Sequence, residues 1–386
     1  MLAQLNIPSV VIVGAGASQE AGAQAKRLRA KHALLVTDTH MVETGLTGQI
    51  TASLDKSGIG TTVFSGVQPD PTDKNVLDGL NVFKESNADI IVALGGGSPT
   101  DAAKVIAVLV NNDPPMRQYA GLHKVPNPGI PVMVIPTTAG TGSEVTKVAV
   151  ITDTERDVKM MMLDVNLLPT VALVDYELTM TMPPSLTANV GVDTLVHAVE
   201  AYVSKKASPL TDPLALSSIR LVAENLYTAY REPDHAMARE AMMLASCQGG
   251  MAFANSSVCL VHGMSRPIGA LYHLPHGLSN AVLFPAVTEF SISGSPERYA
   301  TVARIMGLAS ETDSHEAACA VLVNGLQELN EKLEIPRLGE CVKVDLAVFD
   351  EKVEKMANDA LASGSPNNNP VVPDAQQIIE LYHKAW

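Results

Sequence analysis

The chain has 386 residues, enough for two domains that each bury a core, and 46% hydrophobic with 18% charged residues is a globular balance. A formal net charge of −14 argues against a nucleic-acid surface or an anionic membrane as partner and in favour of small molecules. Cys247, Cys259, Cys319 and Cys341 form no C-x-x-C pair, and the opening Met-Leu-Ala-Gln-Leu-Asn-Ile-Pro lacks a signal-peptide pattern, so a cytoplasmic protein with reduced thiols is expected.

The first half alternates short apolar runs with helical patterns, which predicts a parallel sheet with helices on its faces. Candidate strands are Val10–Val13, Ala33–Thr37, Thr61–Phe64, Ile90–Leu94, Val132–Ile135 and Val171–Val174. Helical spacing falls on Lys74–Lys84 and Thr100–Val110. Val148–Ile151 and Val158–Leu163 flank the polar hexapeptide Thr-Asp-Thr-Glu-Arg-Asp and read as a hairpin. At Met182-Pro183-Pro184-Ser185 the rhythm changes to long helices such as Asp212–Tyr230, Met237–Phe253 and Ser314–Lys332. The expected architecture is therefore an α/β Rossmann-like domain over 1–184 and an all-α domain over 185–386, with Ser185 as N-cap of the first helix beyond the boundary. The methionines at 160–162 and 242–243 read as core or pocket filler, and Ser363–Pro373 as a surface loop before a last amphipathic helix.

Two Gly-rich turns compete for a phosphate. Gly14-Ala-Gly16 begins like a dinucleotide fingerprint but lacks its third glycine. Gly95-Gly96-Gly97-Ser98-Pro99 runs from a buried strand into a helix, where close backbone approach and free N–H groups suit a pyrophosphate; the competing reading is a plain tight turn. Pro136-Thr137-Thr138-Ala-Gly140-Thr141-Gly142-Ser143 supplies hydroxyls for a polar wall around ribose, phosphate or nicotinamide amide. Asp38, at a strand end, is the residue type that accepts from ribose hydroxyls and repels a 2′-phosphate, which favours NAD over NADP.

In the second half, Asp193 and His197 stand four apart, on one face of a helix and one turn from each other. Val192, Leu195, Val196 and Val199 make that helix apolar almost all round, so a charged Asp193 within it needs a partner. Further on, the stretch from Val261 to Gly277 holds three of the ten histidines. A helix running from about Phe253 and stopped by Pro267, followed by Leu-Pro-His-Gly, would bring His262 and His276 to one point. One carboxylate and three imidazoles without thiolate suit Fe(II), Zn(II), Mn(II) or Co(II).

Taken together, Gly95-Gly-Gly-Ser98-Pro-Thr-Asp101, Pro136-Thr-Thr-Ala-Gly-Thr141, Gly191-Val-Asp193-Thr-Leu-Val-His197-Ala-Val-Glu-Ala-Tyr, Val261-His262-Gly-Met and Pro275-His276-Gly277 resemble the iron-containing (group III) alcohol dehydrogenases nearly end to end. The resemblance implies that Asp193, His197, His262 and His276 take iron, with zinc as the alternative, and that Asp38, Gly96, Gly97, Ser98, Thr137, Thr138, Thr141 and Lys159 contact NAD. It also implies a homodimer or larger homo-oligomer and a metal-dependent, NAD-linked oxidoreductase of small alcohols, diols or hydroxy acids and their aldehydes, reacting in the cleft between its domains. Two rival readings stand beside it: a lyase like dehydroquinate synthase, for which no cluster of basic groups is seen, and a non-catalytic protein that binds metal and NAD.

One residue departs from the pattern. Many members of the family carry His four residues beyond the first ligand of the bend, and this chain has Arg266 there. It reads either as a structural ion-pair former or as a contact to an anionic substrate group. His273 reads either as a proton relay or as a packed or cleft-lining imidazole.

Overall fold

A computed structural model of the chain describes residues 2–156 and 158–386. Met1 and Asp157, the last residue of the expected hairpin hexapeptide, lie outside the described residues. The chain forms two compact units, one of residues 6–181 and one that joins the residues up to Leu5 to Met182–Trp386.

Among the described residues the α/β unit holds nine strands: β1 (Val10–Val13), β2 (His32–Val36), β3 (Gly60–Phe64), β4 (Ile90–Gly95), β5 (Gly121–Leu122), β6 (Val132–Pro136), β7 (Val148–Asp153), β8 (Val158–Leu163) and β9 (Val171–Val174). Six make a parallel sheet in the order β1-β9-β6-β4-β2-β3. Every residue of β4, β6 and β9 is buried, as expected for strands covered on both faces. Chain order reverses between β2 and β4, so the ends of those strands form the switch point where such sheets take ligands. Helices α1 (Ala21–Arg27), α2 (Thr39–Glu43), α3 (Leu46–Lys56), α4 (Asp73–Ser86) and α5 (Gly97–Leu109) connect or flank the strands. A capping box between Thr72 and Asn75 starts α4 at its N-terminus. The β7–β8 hairpin is antiparallel, with Met160 and Met162 in the core, and the two-residue β5 adds to its edge.

A buried polar network pins this hairpin to α5. Lys104, fully buried, donates to Ser143 Oγ (2.8 Å), Thr146 Oγ1 (3.1 Å) and the Val148 carbonyl (2.9 Å). Asp101 accepts from Ser143 Oγ (2.8 Å) and Val150 N (3.0 Å) and lies 3.8 Å from the ammonium. Burial pushes Lys104 down to about 8 against the pull of Asp101 and Glu144, and pushes the Asp101 carboxyl up.

The other unit is helical: α6 (Pro184–Val203), α7 (Asp212–Arg231), α8 (Ala236–Asn255), α9 (Leu260–Tyr272), α10 (His276–Ser291), α11 (Pro296–Ile305), α12 (His315–Lys332), α13 (Leu338–Val342), α14 (Leu346–Ala362) and α15 (Ala375–Ala385). From Gly191 to Val203 every residue of α6 is buried, which explains the apolar character around its circumference. Three local expectations are corrected. Pro183 is the N-cap of α6 and Pro184 its first residue, because a fixed φ suits a position whose N–H has no acceptor; Ser185 lies inside the first turn. The helix containing Phe253 ends at Asn255, and Pro267 sits inside α9, where it is buried. An interior proline costs about 3 kcal/mol, which the burial of α9 from Leu260 to Ser265 offsets. Ser363–Pro373 is more than surface loop: Ser365 and Asn369 are buried, and Asn369 Nδ2 donates to Ser291 Oγ (2.9 Å) and the Val371 carbonyl (2.7 Å). Among the described residues the four cysteines are free, and no helix is long and apolar enough to cross a membrane.

Lys104→Met leaves Asp101 buried without its cation, and the expected loss is about 3 kcal/mol of stability in a urea titration. A loss below about 1 kcal/mol would show that the network does not hold the hairpin.

Candidate metal centre and nucleotide cradle

Three helices deliver four donor residues to one place in the helical unit. Asp193 and His197 come from α6, His262 from the first turn of α9 and His276 from the first residue of α10. One donor atom from each lies within 4.8 Å of all the others. Asp193 Oδ1 is 3.9 Å from His197 Nδ1 and 3.7 Å from His262 Nε2. The His262 ring centroid lies 4.4 Å from that of His197 and 5.3 Å from that of His276. Phe253 of α8 stacks on His197 at 4.3 Å and forms an apolar wall.

The close approach of α10 to α6 depends on Gly277. A Cβ there would meet the Asn189 carbonyl oxygen at 2.6 Å and the Asp193 Cβ at 3.4 Å, so no larger residue fits without moving one helix.

The electrostatics favour neutral imidazoles with lone pairs available. Burial, helped by His197 and opposed by Asp193, holds His262 well below the usual imidazole range. His276 keeps an exposed edge, yet the protein crowding its ring pushes it down to about 3, against the raising effect of Asp193. Asn280 Nδ2 donates to Asp193 Oδ1 (2.6 Å) and stands 3.2 Å from both His262 Nε2 and His276 Nε2. That amide nitrogen carries two hydrogens for three acceptors, so the cluster has more lone pairs than protons to fill them. Such a donor set fits a divalent cation.

Glu200, one turn beyond His197 on α6, and Asn280 are functional residues that sequence reasoning missed. Glu200 is buried; its Oε2 meets His262 Nδ1 at 2.7 Å, and it accepts the backbone N–H groups of Cys259 (2.8 Å) and Val261 (2.7 Å). This contact puts the proton on Nδ1 and aims the Nε2 lone pair at the cluster. Burial pushes Glu200 up to about 7 against those lowering hydrogen bonds. The available signal was a carboxylate inside an apolar helix, the same signal that marked Asp193.

His273 is the C-cap of α9, in the left-handed region with φ 54°, and is exposed. The Arg266 guanidinium donates from Nη1 to Ser365 Oγ at 3.1 Å, and among the described residues no carboxylate lies within ion-pair distance of it. The structural ion-pair reading of Arg266 therefore finds no partner.

In the α/β unit, β4 ends at Gly95 with φ +139°, a backbone conformation that side chains rarely allow. Thr137 N donates to the Gly95 carbonyl at 3.1 Å. A Cβ built on Gly95 would meet Pro99 at 2.7 Å and Asp38 Oδ2 at 3.5 Å; on Gly96, Thr138 Oγ1 at 3.4 Å; on Gly97, Thr141 Cγ2 at 3.3 Å. Asp38, the glycine turn, Ser98 and the threonines thus gather at the switch point. Gly97 and Ser98 open α5, where N–H groups have no acceptor in the helix. Thr138 Oγ1 is buried without a hydrogen-bond partner, which fits a polar ligand lying against it. Asp38 also caps α2, its Oδ1 accepting from Met41 N at 3.0 Å. Lys159 is exposed on β8, where its Nζ pairs with Asp70 Oδ1 at 2.6 Å.

The other glycine turn is already filled. Gly16 N and Ser18 N donate to Asp175 at 3.3 and 3.0 Å, and Ser18 Oγ does so at 2.6 Å, so a protein carboxylate occupies the position an external anion would need.

Residues 8–176 match the model of iron-containing alcohol dehydrogenases, and residues 187–386 match that of the Fe-containing alcohol dehydrogenase family, C-terminal. The chain belongs to the iron-containing alcohol dehydrogenase family, and is an oxidoreductase with NAD and iron as its cofactors. It is 39% identical to the 1,3-propanediol dehydrogenase of Klebsiella pneumoniae and 38% identical to the NAD-dependent methanol dehydrogenase of Bacillus methanolicus, covering 98% of each chain in both comparisons. The lactaldehyde reductase of Escherichia coli is 38% identical over 97% of each chain. Among solved structures, a 1,3-propanediol oxidoreductase matches with a TM-score of 0.97 at 37% identity, each chain fully covered. These relatives favour the oxidoreductase over both the lyase and the non-catalytic reading.

Gly277→Ala is expected to push α10 away from α6 and weaken iron binding at least tenfold, roughly the scale of disturbing a ligand's support. The fold should persist by circular dichroism. Full iron stoichiometry at wild-type affinity would show that the close approach is not needed.

Proposed function

We propose that this enzyme interconverts small alcohols, diols or hydroxy acids with their aldehydes, using NAD held on the α/β unit and iron held by Asp193, His197, His262 and His276. The observation that carries the proposal is the convergence of those four donors, with more lone pairs than protons. Iron bound there supplies Lewis acidity toward a substrate oxygen.

The chain's own groups do the rest. Asp193 brings the single negative charge among the donors, and His262 and His276 are held neutral, so the donor set would leave a bound divalent cation with net positive charge. Glu200 holds His262 in the tautomer with Nε2 unprotonated. Phe253 keeps one side of His197 dry. His273, exposed at the end of the helix that carries His262, exchanges the alcohol proton with solvent. On the cofactor side, the N–H groups of Gly96, Gly97 and Ser98 take the pyrophosphate, and Asp38 accepts from the ribose hydroxyls. Thr137, Thr138 and Thr141 line the remaining polar wall, and the family resemblance adds Lys159 as a further NAD contact. NAD held in that cradle would supply the hydride acceptor for alcohol oxidation and, reduced, the hydride donor for the aldehyde.

The relatives named for methanol, 1,3-propanediol and lactaldehyde support a small substrate. Zinc binds nitrogen and oxygen sets more tightly than ferrous iron, so iron occupancy depends on cellular supply rather than on affinity. Free buried thiols support a cytoplasmic location, and the family resemblance supports an assembly based on dimers.

Stripping the protein and reloading it anaerobically should restore NADH-dependent aldehyde reduction with Fe(II), and to a different extent with Zn(II). Equal activity in rigorously metal-free protein would contradict the mechanism. Asp193→Ala, His197→Ala, His262→Ala and His276→Ala are each expected to lose metal and turnover while NADH binding survives. Any variant that keeps full metal stoichiometry and turnover removes that residue from the ligand set.

Asp38→Gly removes the carboxylate that repels a 2′-phosphate, so the kcat/KM ratio of NAD to NADP should fall by at least about tenfold, the equivalent of one lost charge interaction. An unchanged ratio would place the ribose elsewhere.

A further inference from the structure

Arg266 stands one turn beyond His262 on α9, so the two side chains leave the same face of the helix. Its guanidinium is half-buried and, among the described residues, makes one hydrogen bond, to Ser365 Oγ. A guanidinium carries about five N–H donors in a fixed fork, so most of this one's donors meet no protein acceptor. Glu200 attracts it, yet the Glu200 oxygens are already taken by Cys259 N, Val261 N and His262 Nδ1. Burial lowers the Arg266 pKa, but a guanidinium remains charged at any working pH. Its charge also bears on the ligands themselves, helping to hold both His262 and His276 unprotonated.

A cation kept largely out of water with no carboxylate partner is costly to the fold unless something else neutralises it. Iron in the neighbouring site would add to the positive charge, and Asp193 is the only acid among the ligands. What is missing is an anion, and His276 is the one of the four donors that keeps an edge exposed.

We propose that Arg266 binds an anionic head group of the substrate, so that the preferred substrates are short aldehydes and alcohols with an acid group remote from the reacting carbon. The proposal rests on the metal-site reading above and adds the substrate class to it. Four residues, about 6 Å of helix rise, separate Arg266 from His262 along α9, so a short chain between carbonyl and acid spans the two. The fork geometry matches a planar carboxylate through two parallel hydrogen bonds.

The test compares 4-oxobutanoate with its methyl ester, which has the same chain without the charge, in wild type, Arg266→Gln and Arg266→Lys, with metal content measured in each. Wild type should favour the free acid in kcat/KM by about 10- to 100-fold, the scale of a charge-assisted hydrogen-bonded pair. That ratio should collapse toward parity in Arg266→Gln and fall between the two in Arg266→Lys. A second readout needs no turnover: wild-type holoenzyme saturated with NADH should bind 4-hydroxybutanoate more tightly than 1-butanol by calorimetry, and Arg266→Gln should erase the difference. An acid-to-ester ratio and a calorimetric difference that are the same in wild type and Arg266→Gln would overturn the proposal, as would a wild-type preference for the ester. The metal-site reading fails separately, through absence of bound metal or of turnover with either aldehyde, and the calorimetry still decides the role of Arg266.

Discussion

The helical unit is organised by a shortage of protons. Asp193, His262 and His276 converge on one amide nitrogen that can satisfy two of them, and His197 brings a fourth donor to the same point. A protein interior tolerates such a cluster when a cation completes it. The surrounding structure serves that convergence. Gly277 lets α10 approach the backbone of α6, and Gly191 leaves room for Leu226, which a Cβ would meet at 2.2 Å. Glu200, itself buried, accepts two backbone N–H groups at the start of α9 and so fixes both the helix and the His262 ring that projects from it.

The α/β unit follows the same logic with opposite sign. Two glycine turns offer N–H groups, and the difference between them lies in what already occupies those groups. At Gly16 the Asp175 carboxylate is the anion, so that turn is structural. At Gly95–Ser98, among the described residues, no carboxylate fills the place, Asp38 caps the neighbouring helix instead, and a buried Thr138 hydroxyl has no partner. Beneath this cradle the Lys104–Asp101–Ser143 network joins α5, which begins at the glycine turn, to the loop that follows β6.

Much of this was legible in sequence because the signals were local. β-Branched and aliphatic runs marked β1, β4, β6 and β9, and an Asp-x-x-x-His pair inside an apolar helix marked α6. Capping chemistry was legible less reliably: Ser185 does not cap α6, since two prolines upstream had already set the start. Pro267 was misread because proline's cost is local, whereas the burial that offsets it is set by tertiary packing. Asn280, Lys104 and the partner of Glu200 were invisible for a related reason. Each acts on a residue from another helix or a distant loop, and no spacing along one element encodes such a partner. Arg266 was legible as an anomaly, and its missing counter-ion became evident only from the packing around it.

The central claim is that one carboxylate and three imidazoles hold the iron. X-ray absorption at the iron edge of anaerobically loaded enzyme reads the ligand shell directly. The account predicts nitrogen and oxygen neighbours with the outer-shell scattering of imidazole rings, reduced by one ring in His276→Ala if that variant is loaded at excess iron. A shell of water oxygens without imidazole scattering, or one containing sulfur, would contradict it.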